Sequence, residues 1–169
     1  NLATLMEGDY QLEVRDLSLT YSGQATAALN QISFSLNKGK HYGLVGPSGS
    51  GKSSLARLLL RFIEPDGGQI LLNSEDIHAW SKEEWRRLVG WIPQKPALLN
   101  DSLINNITLG MDCFSQAYLA QAIEAAGLSD LIARLPEGGR TPLLESGYRF
   151  SGGEIQRIAL ARGVLRNPR

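Results

Sequence analysis

The chain has 169 residues, 43% of them hydrophobic and 20% charged, and its formal net charge is zero; this is the size and balance of a single soluble globular domain. The neutral balance gives no electrostatic case for nucleic acid or an anionic membrane surface, and there is no apolar run of about 18 residues or more to span a bilayer. Asn1 to Asp9 lack the basic and apolar blocks of a signal peptide, the missing initial Met suggests an excerpt of a longer protein, and the single cysteine, Cys113, fits a reducing compartment and reads as a small buried apolar residue.

In chain order, Leu12, Val14, Leu17 and Leu19 alternate with polar neighbours and predict an edge strand or two, with a turn near Tyr21-Ser22-Gly23. Ile32 to Leu36 predicts a second strand, and Asn37-Lys38-Gly39-Lys40 a turn. His41 to Val45 reads as a short buried strand leading into a glycine-rich loop. Leu55, Leu58, Leu59 and Phe62 then recur at helical spacing until Pro65-Asp66-Gly67-Gly68, and Ile70 to Leu72 form a short strand. Ser81 to Val89 predicts a helix with a capping box from Ser81 and Glu84. Gly90 to Pro93 returns to the sheet. Residues 102–135 turn helical in pattern, through Phe114, Ala117, Tyr118, Ile123 and Ala126 and then Leu128, Leu131, Ile132 and Leu135. A last helix follows Ser151. No internal repeat or low-complexity segment appears.

The segment from Gly46 to Ser53 matches G-x-x-x-x-G-K-[ST] at every fixed position. Gly46, Gly49 and Gly51 let backbone N–H groups converge on phosphate oxygens without Cβ atoms intervening, and Pro47, Ser48 and Ser50 complete the loop. The helix beginning at Lys52, with Ser53 and Ser54 in its first turn, turns its unpaired N–H groups and positive dipole end towards the same anion. Lys52 reaches the β- and γ-phosphates, and the Ser53 hydroxyl can join the shell of a Mg²⁺ ion. The alternative is a plain glycine-rich turn. The expected strand before and apolar helix after are the context the motif requires, so a nucleoside triphosphate, read as ATP, is the predicted ligand; the loop by itself is shared by small kinases, GTPases and motor ATPases. A nicotinamide cofactor is disfavoured because G-x-G-x-x-G is absent.

Phe150-Ser151-Gly152-Gly153-Glu154-Ile155-Gln156-Arg157 opens the last helix. A capping box of Ser151 and Glu154 accounts for it structurally. Its two glycines, however, each cost about 1 kcal/mol of helix propensity that a cap alone does not require. They would let a helix N-terminus approach an anion closely. At this point the sequence resembles the ATP-binding cassette family. The phosphate loop, the Q-loop Trp91-Ile92-Pro93-Gln94 and the signature with its following Gln156-Arg157-Ile158-Ala159-Leu160-Ala161-Arg162 occur in the family's order, and the resemblance covers nearly the whole chain.

The resemblance implies an α/β P-loop NTPase: residues 10–97 as ATPase core and antiparallel β subdomain, 98–150 as α-helical subdomain, 151–169 as signature helix, and 1–9 as linker from a membrane domain. It implies that Ser151, Gly152, Gly153 and Glu154 cap the γ-phosphate of an ATP held by a second nucleotide-binding domain. It also implies that Tyr21 stacks on adenine, and that Gln94 reaches Mg²⁺ and the attacking water. Phe150 and Glu154 depart from the usual Leu and Gln; with the glutamate folded back onto Ser151, weak consequences are expected. Leu144-Glu145-Ser146-Gly147 and the run from Trp91 through Gln94 to the Asn106-Ile107 helix start are similar to exporters, which implies a transmembrane domain as partner and a place at the cytoplasmic face of a membrane. Glu84 to Arg87 and Arg134 to Pro142 are similar to bacterial thiol exporters associated with cytochrome bd assembly.

The family's Walker B strand, catalytic glutamate and switch histidine are expected beyond Arg169, so hydrolysis at a normal rate is not expected of these residues, and the fold reads as truncated at the C-terminus. His41 and His78 precede the signature and read as a strand-edge and a surface residue. Two other readings stay open: a soluble cassette ATPase acting on DNA or ribosomes, and a regulatory half that binds without turnover. Ser151 lies 99 positions after Lys52, room for a compact insert rather than a long coiled coil.

Overall fold

The structure, a computed structural model, describes residues 8–111, 113–143 and 150–167. It divides into two compact units, one ending at Val89 and the other starting at Gly90.

The first unit holds strands β1 (Gln11–Leu19), β2 (Leu29–Asn37), β3 (Gly67–Leu72) and β4 (Glu75–Asp76), with helices α1 (Lys52–Leu59) and α2 (Lys82–Leu88). The sheet is antiparallel in the order β2-β1-β3-β4. The expected edge strand is therefore internal: β1 pairs on both sides, which suits a strand whose Val14, Leu17 and Leu19 are all buried. A bulge after Val14 puts Asp16 at φ 47°, where its N–H takes the Ser33 hydroxyl as acceptor. Leu55 and Leu58 of α1 join Ile70, Leu72 and Ile77 in one apolar core.

Side chains from α2 finish α1. Trp85 Nε1 donates to the Leu59 carbonyl, Arg86 Nε to Leu60 and Arg86 Nη2 to Arg61, so three carbonyls at the end of α1 and just past it are satisfied, two by a cation that also suits the dipole. Arg61 is itself buried and donates to the Ile77 and Trp80 carbonyls. Phe62, expected on the helix, lies beyond its end and is exposed under the Arg86 guanidinium.

The expected strand at His41 to Val45 does not form. Tyr42 is 52%, Leu44 58% and Val45 89% exposed. Among the described residues no strand runs beside this segment, and a buried strand needs neighbours on both edges to pair its backbone. The return to the sheet at Gly90 to Pro93 fails for the same reason, with Trp91 and Ile92 exposed.

The second unit is helical: α3 (Leu103–Thr108), α4 (Gln116–Ala125), α5 (Ser129–Arg134) and α6 (Gly152–Leu165). Its core gathers Leu103, Ile107, Leu119, Ala122, Leu131 and Ile158. The buried face of α4 is Leu119, Ala122 and then Ala126 rather than the expected Ala117 and Tyr118, and Tyr118 is 61% exposed. Cys113 is exposed, not buried. No helix of the described residues is long and apolar enough to cross a membrane.

Candidate functional site

Residues 46–50 form an exposed loop running into α1, whose N-cap is Gly51 at φ 85°. A side chain at 51 is excluded twice over: the backbone sits in the left-handed region, and a Cβ would strike the Ala28 carbonyl and lie 2.7 Å from Leu29. A Cβ at Gly46 would come within 2.7 Å of Ser50 Oγ. Glycine at these two positions is therefore demanded by the loop itself. No side chain caps α1, and no acid stands in its first turn. Its leading N–H groups and positive end thus remain available to an anion.

The Lys52 ammonium folds over the loop and donates to the carbonyls of Gly46 (2.8 Å) and Pro47 (2.7 Å) and to Ser50 Oγ (3.1 Å). This concentrates positive charge over the loop that leads into α1. Ser53 and Ser54 follow in the first helical turn, and Ser54 is buried. Tyr21, half-buried beside the core, shares a 3.0 Å hydrogen bond between its hydroxyl and Ser54 Oγ. That bond, aided by Arg57, lowers the phenol below its ordinary value. The ring is thereby fixed to the same helix that carries Lys52. These residues fit a triphosphate with its divalent ion: donors and a cation line the loop, and a hydroxyl oxygen follows the lysine.

A second cluster, absent from the sequence reading, lies where β4 meets α2. The His78 ring places Nδ1 2.7 Å from Asp76 Oδ1 and Nε2 2.7 Å from Glu64 Oε2, and Lys82 Nζ stands 2.8 Å from Glu64 Oε1. Lys82 and His78 hold the Glu64 carboxyl down at about 2, and Glu64, then Asp76, raises the His78 imidazole.

In the second unit, Gln94 lies in the irregular segment before α3, and its backbone carbonyl accepts from Gln156 Nε2 of α6 at 3.4 Å. Arg162 of α6 donates to the carbonyls of Asn106 (3.0 Å) and Ala97 (3.3 Å). Asn106, fully buried, closes the 99–102 turn: it accepts from the Leu99 N–H and donates to the carbonyls of Leu99, Asp101 and Ser102. Sequence reasoning gave Gln94 a role and quoted Asn106 and Arg162 only within longer runs, without foreseeing these contacts. Such side-chain bonds to distant backbone leave no periodic trace.

At the start of α6, Ser151 N–H and Oγ–H both donate to Glu154 Oε2 (2.8 and 2.9 Å), and Glu154 N–H donates to Ser151 Oγ (3.2 Å). The expected capping box is present. Gly152 and Gly153 have no positive φ, and a Cβ on either would meet nothing within 4 Å. Nothing inside the described chain requires glycine there. The Leu144 to Gly147 loop lies outside the described residues.

Comparison with known proteins gives a consistent picture. A family model described as ABC transporter matches residues 29–169. The chain is 41% identical over its full length to the alpha-hemolysin translocation ATP-binding protein HlyB of Escherichia coli O157:H7, of which it covers 24%. It is 43% identical over 83% of its length to an ATM1-type heavy metal exporter of Novosphingobium aromaticivorans, covering 23% of that protein. Among solved structures, a bacterial Atm1-family ABC exporter with ATP bound superposes with a TM-score of 0.85 at 39% identity, over 94% of this chain and 28% of that one. The chain thus spans about a quarter of the length of these relatives.

Proposed function

The chain belongs to the ABC transporter family, and from that premise we propose that it is the nucleotide-binding part of an exporter, powering transport by binding and hydrolysing ATP within the complete protein. The observation that carries this reading is the bare start of α1, a helix N-terminus without a cap or an acid, reached through glycines the loop cannot replace and overlaid by the Lys52 ammonium. Gly46 to Ser54 hold the triphosphate: backbone amides meet its oxygens, and Lys52 exchanges its loop carbonyls for phosphate. Ser53 and Gln94 are assigned to Mg²⁺, which supplies charge neutralisation when bound, and Tyr21 to the adenine ring. Ser151, Gly152, Gly153 and Glu154 are assigned to the ATP of a second nucleotide-binding domain. The open space over both glycines supports that assignment, since no internal contact calls for them.

In this reading residues 10–97 are the core and β subdomain, 98–150 the helical subdomain and 151–169 the signature helix, with 1–9 a linker. A transmembrane domain completes the exporter at the cytoplasmic face of its membrane. Calorimetric titration with magnesium-ATP tests the site. Replacing Lys52 by Ala removes a charge-assisted contact worth roughly 1.5–3 kcal/mol and should weaken binding at least about tenfold. Equal affinities for wild type and variant would refute the assignment.

A further inference from the structure

The two phosphate-facing helix starts differ in what already occupies their donors. In the first turn of α1 there is no acid, and no side chain caps it. At α6 one carboxylate oxygen, Glu154 Oε2, takes both the N–H and the only hydroxyl proton of Ser151. Glu154 is 7% exposed as a residue and 10% in its side chain, and its other oxygen, Oε1, stands 3.8 Å from Arg134 Nη2. We propose that Glu154 is a built-in competitor of the nucleotide at the signature: its carboxylate holds the Ser151 donors that a terminal phosphate would take, and it yields them by turning to Arg134.

Helix α2 supplies the internal comparison. Its Ser81–Glu84 box has the same three bonds, at 2.9, 2.8 and 3.2 Å, so the box alone is a sufficient device for starting a helix. The surroundings differ. Glu84 is exposed and can release its serine to water at little cost, whereas Glu154 is buried. A buried carboxylate that lost its donors without a substitute would carry a desolvation penalty. Arg134, itself 64% exposed, is a cation within reach of that carboxylate. A phosphate and the glutamate cannot both accept from Ser151, because like charges would share one set of donors. The signature therefore exists in two arrangements, glutamate on serine or glutamate on arginine, and a neighbouring ATP selects the second.

The inference rests on the proposed meeting of Ser151 with a second domain's ATP. Its test is magnesium-ATP-driven self-association of the 169-residue chain, followed by sedimentation velocity, with thermal melting as the check on folding. Glu154→Gln keeps an acceptor for Ser151 but loses the charge; since charge-assisted bonds are roughly twice as strong as neutral ones, association should strengthen roughly fivefold. Arg134→Gln should weaken association by a similar factor. The double variant should behave as Glu154→Gln alone, because an uncharged side chain no longer needs the arginine. Wild-type association that Glu154→Gln leaves unchanged or weakens, with melting unaltered, overturns the competitor alone. ATP binding without any association in wild type or either variant overturns the signature reading, and the competitor falls with it.

Discussion

The His78 cluster makes a prediction that needs no ligand. Both ring nitrogens sit 2.7 Å from carboxylate oxygens, Glu64 on one side and Asp76 on the other. A neutral imidazole has one donor, so only the imidazolium can serve both. The other charges facing it are Lys82, which shares Glu64, and Arg61, whose field opposes protonation. The sign follows from the raised histidine: its stabilisation is complete below the unfolded value of about 6.5 and is lost as pH rises through the higher folded value. Glu64, held at about 2, contributes in the opposite sense, present above about 4.5 and lost on strong acidification. The histidine side chain is 42% exposed, and Glu64 47%, so solvent screening limits each pair. Taking about 0.2–1 kcal/mol per exposed pair, the two bonds together contribute about 1 kcal/mol. For a chain of this size that corresponds to about 2–4 °C in Tm. Thermal melts of wild type and His78→Gln should therefore differ by that amount near pH 6 and converge near pH 8.5, on either side of the histidine transition. An equal difference at both pH values, or an NMR titration of His78 at or below the ordinary imidazole value, would refute the clamp.

Two further outcomes follow from geometry. Asn106→Ala removes a fully buried side chain and leaves the Leu99 N–H without its acceptor, while the carbonyls of Leu99, Asp101 and Ser102 keep the backbone N–H groups of Asp101, Leu143 and Asn106, so stability should fall by about 1–2 kcal/mol; Asn106→Asp, which cannot donate and buries a charge, should be no better, and a melt within a degree of wild type would exclude the role. The glycines separate into two kinds. Gly51→Ala meets both a left-handed backbone and the Ala28 carbonyl and should lower Tm and ATP affinity together. Gly152→Ala meets nothing and should hold stability or raise it, by up to about 1 kcal/mol of helix propensity, while impairing ATP-driven association. Parallel loss of stability in both variants would contradict the distinction.

Much of the site was legible because its signals are local. The phosphate loop is eight consecutive residues, and both capping boxes were read from Ser and Glu three apart and are present. Strand β1 was recognisable by alternation, yet its internal position was not, since alternation does not count neighbours. The apolar run at 41–45 has the composition of a buried strand, but whether it pairs depends on segments elsewhere, and among the described residues none flanks it. The α4 face was read through Tyr118 rather than Leu119 because both are apolar and adjacent, and only packing chooses between them. The Glu64–His78–Asp76 cluster and the Arg162–Asn106 bonds join residues with no shared period, and no pattern in the chain announces them.

Glu154, expected to have weak consequences, is proposed to compete through the same structural detail that makes the box a good cap. Folding back keeps the carboxylate away from an approaching phosphate only by placing it on the donors that phosphate needs. At the phosphate loop, by contrast, Lys52 is held by neutral carbonyls and a hydroxyl. Exchanging a neutral acceptor for a phosphate oxygen gains a charge-assisted bond, whereas exchanging one carboxylate for another anion gains little. If both sites act as proposed, ATP binds first and firmly to its own loop, and the signature closes over a partner's ATP at a nearly balanced exchange. A balanced exchange is the condition under which a small change, such as the position of Arg134, decides the outcome.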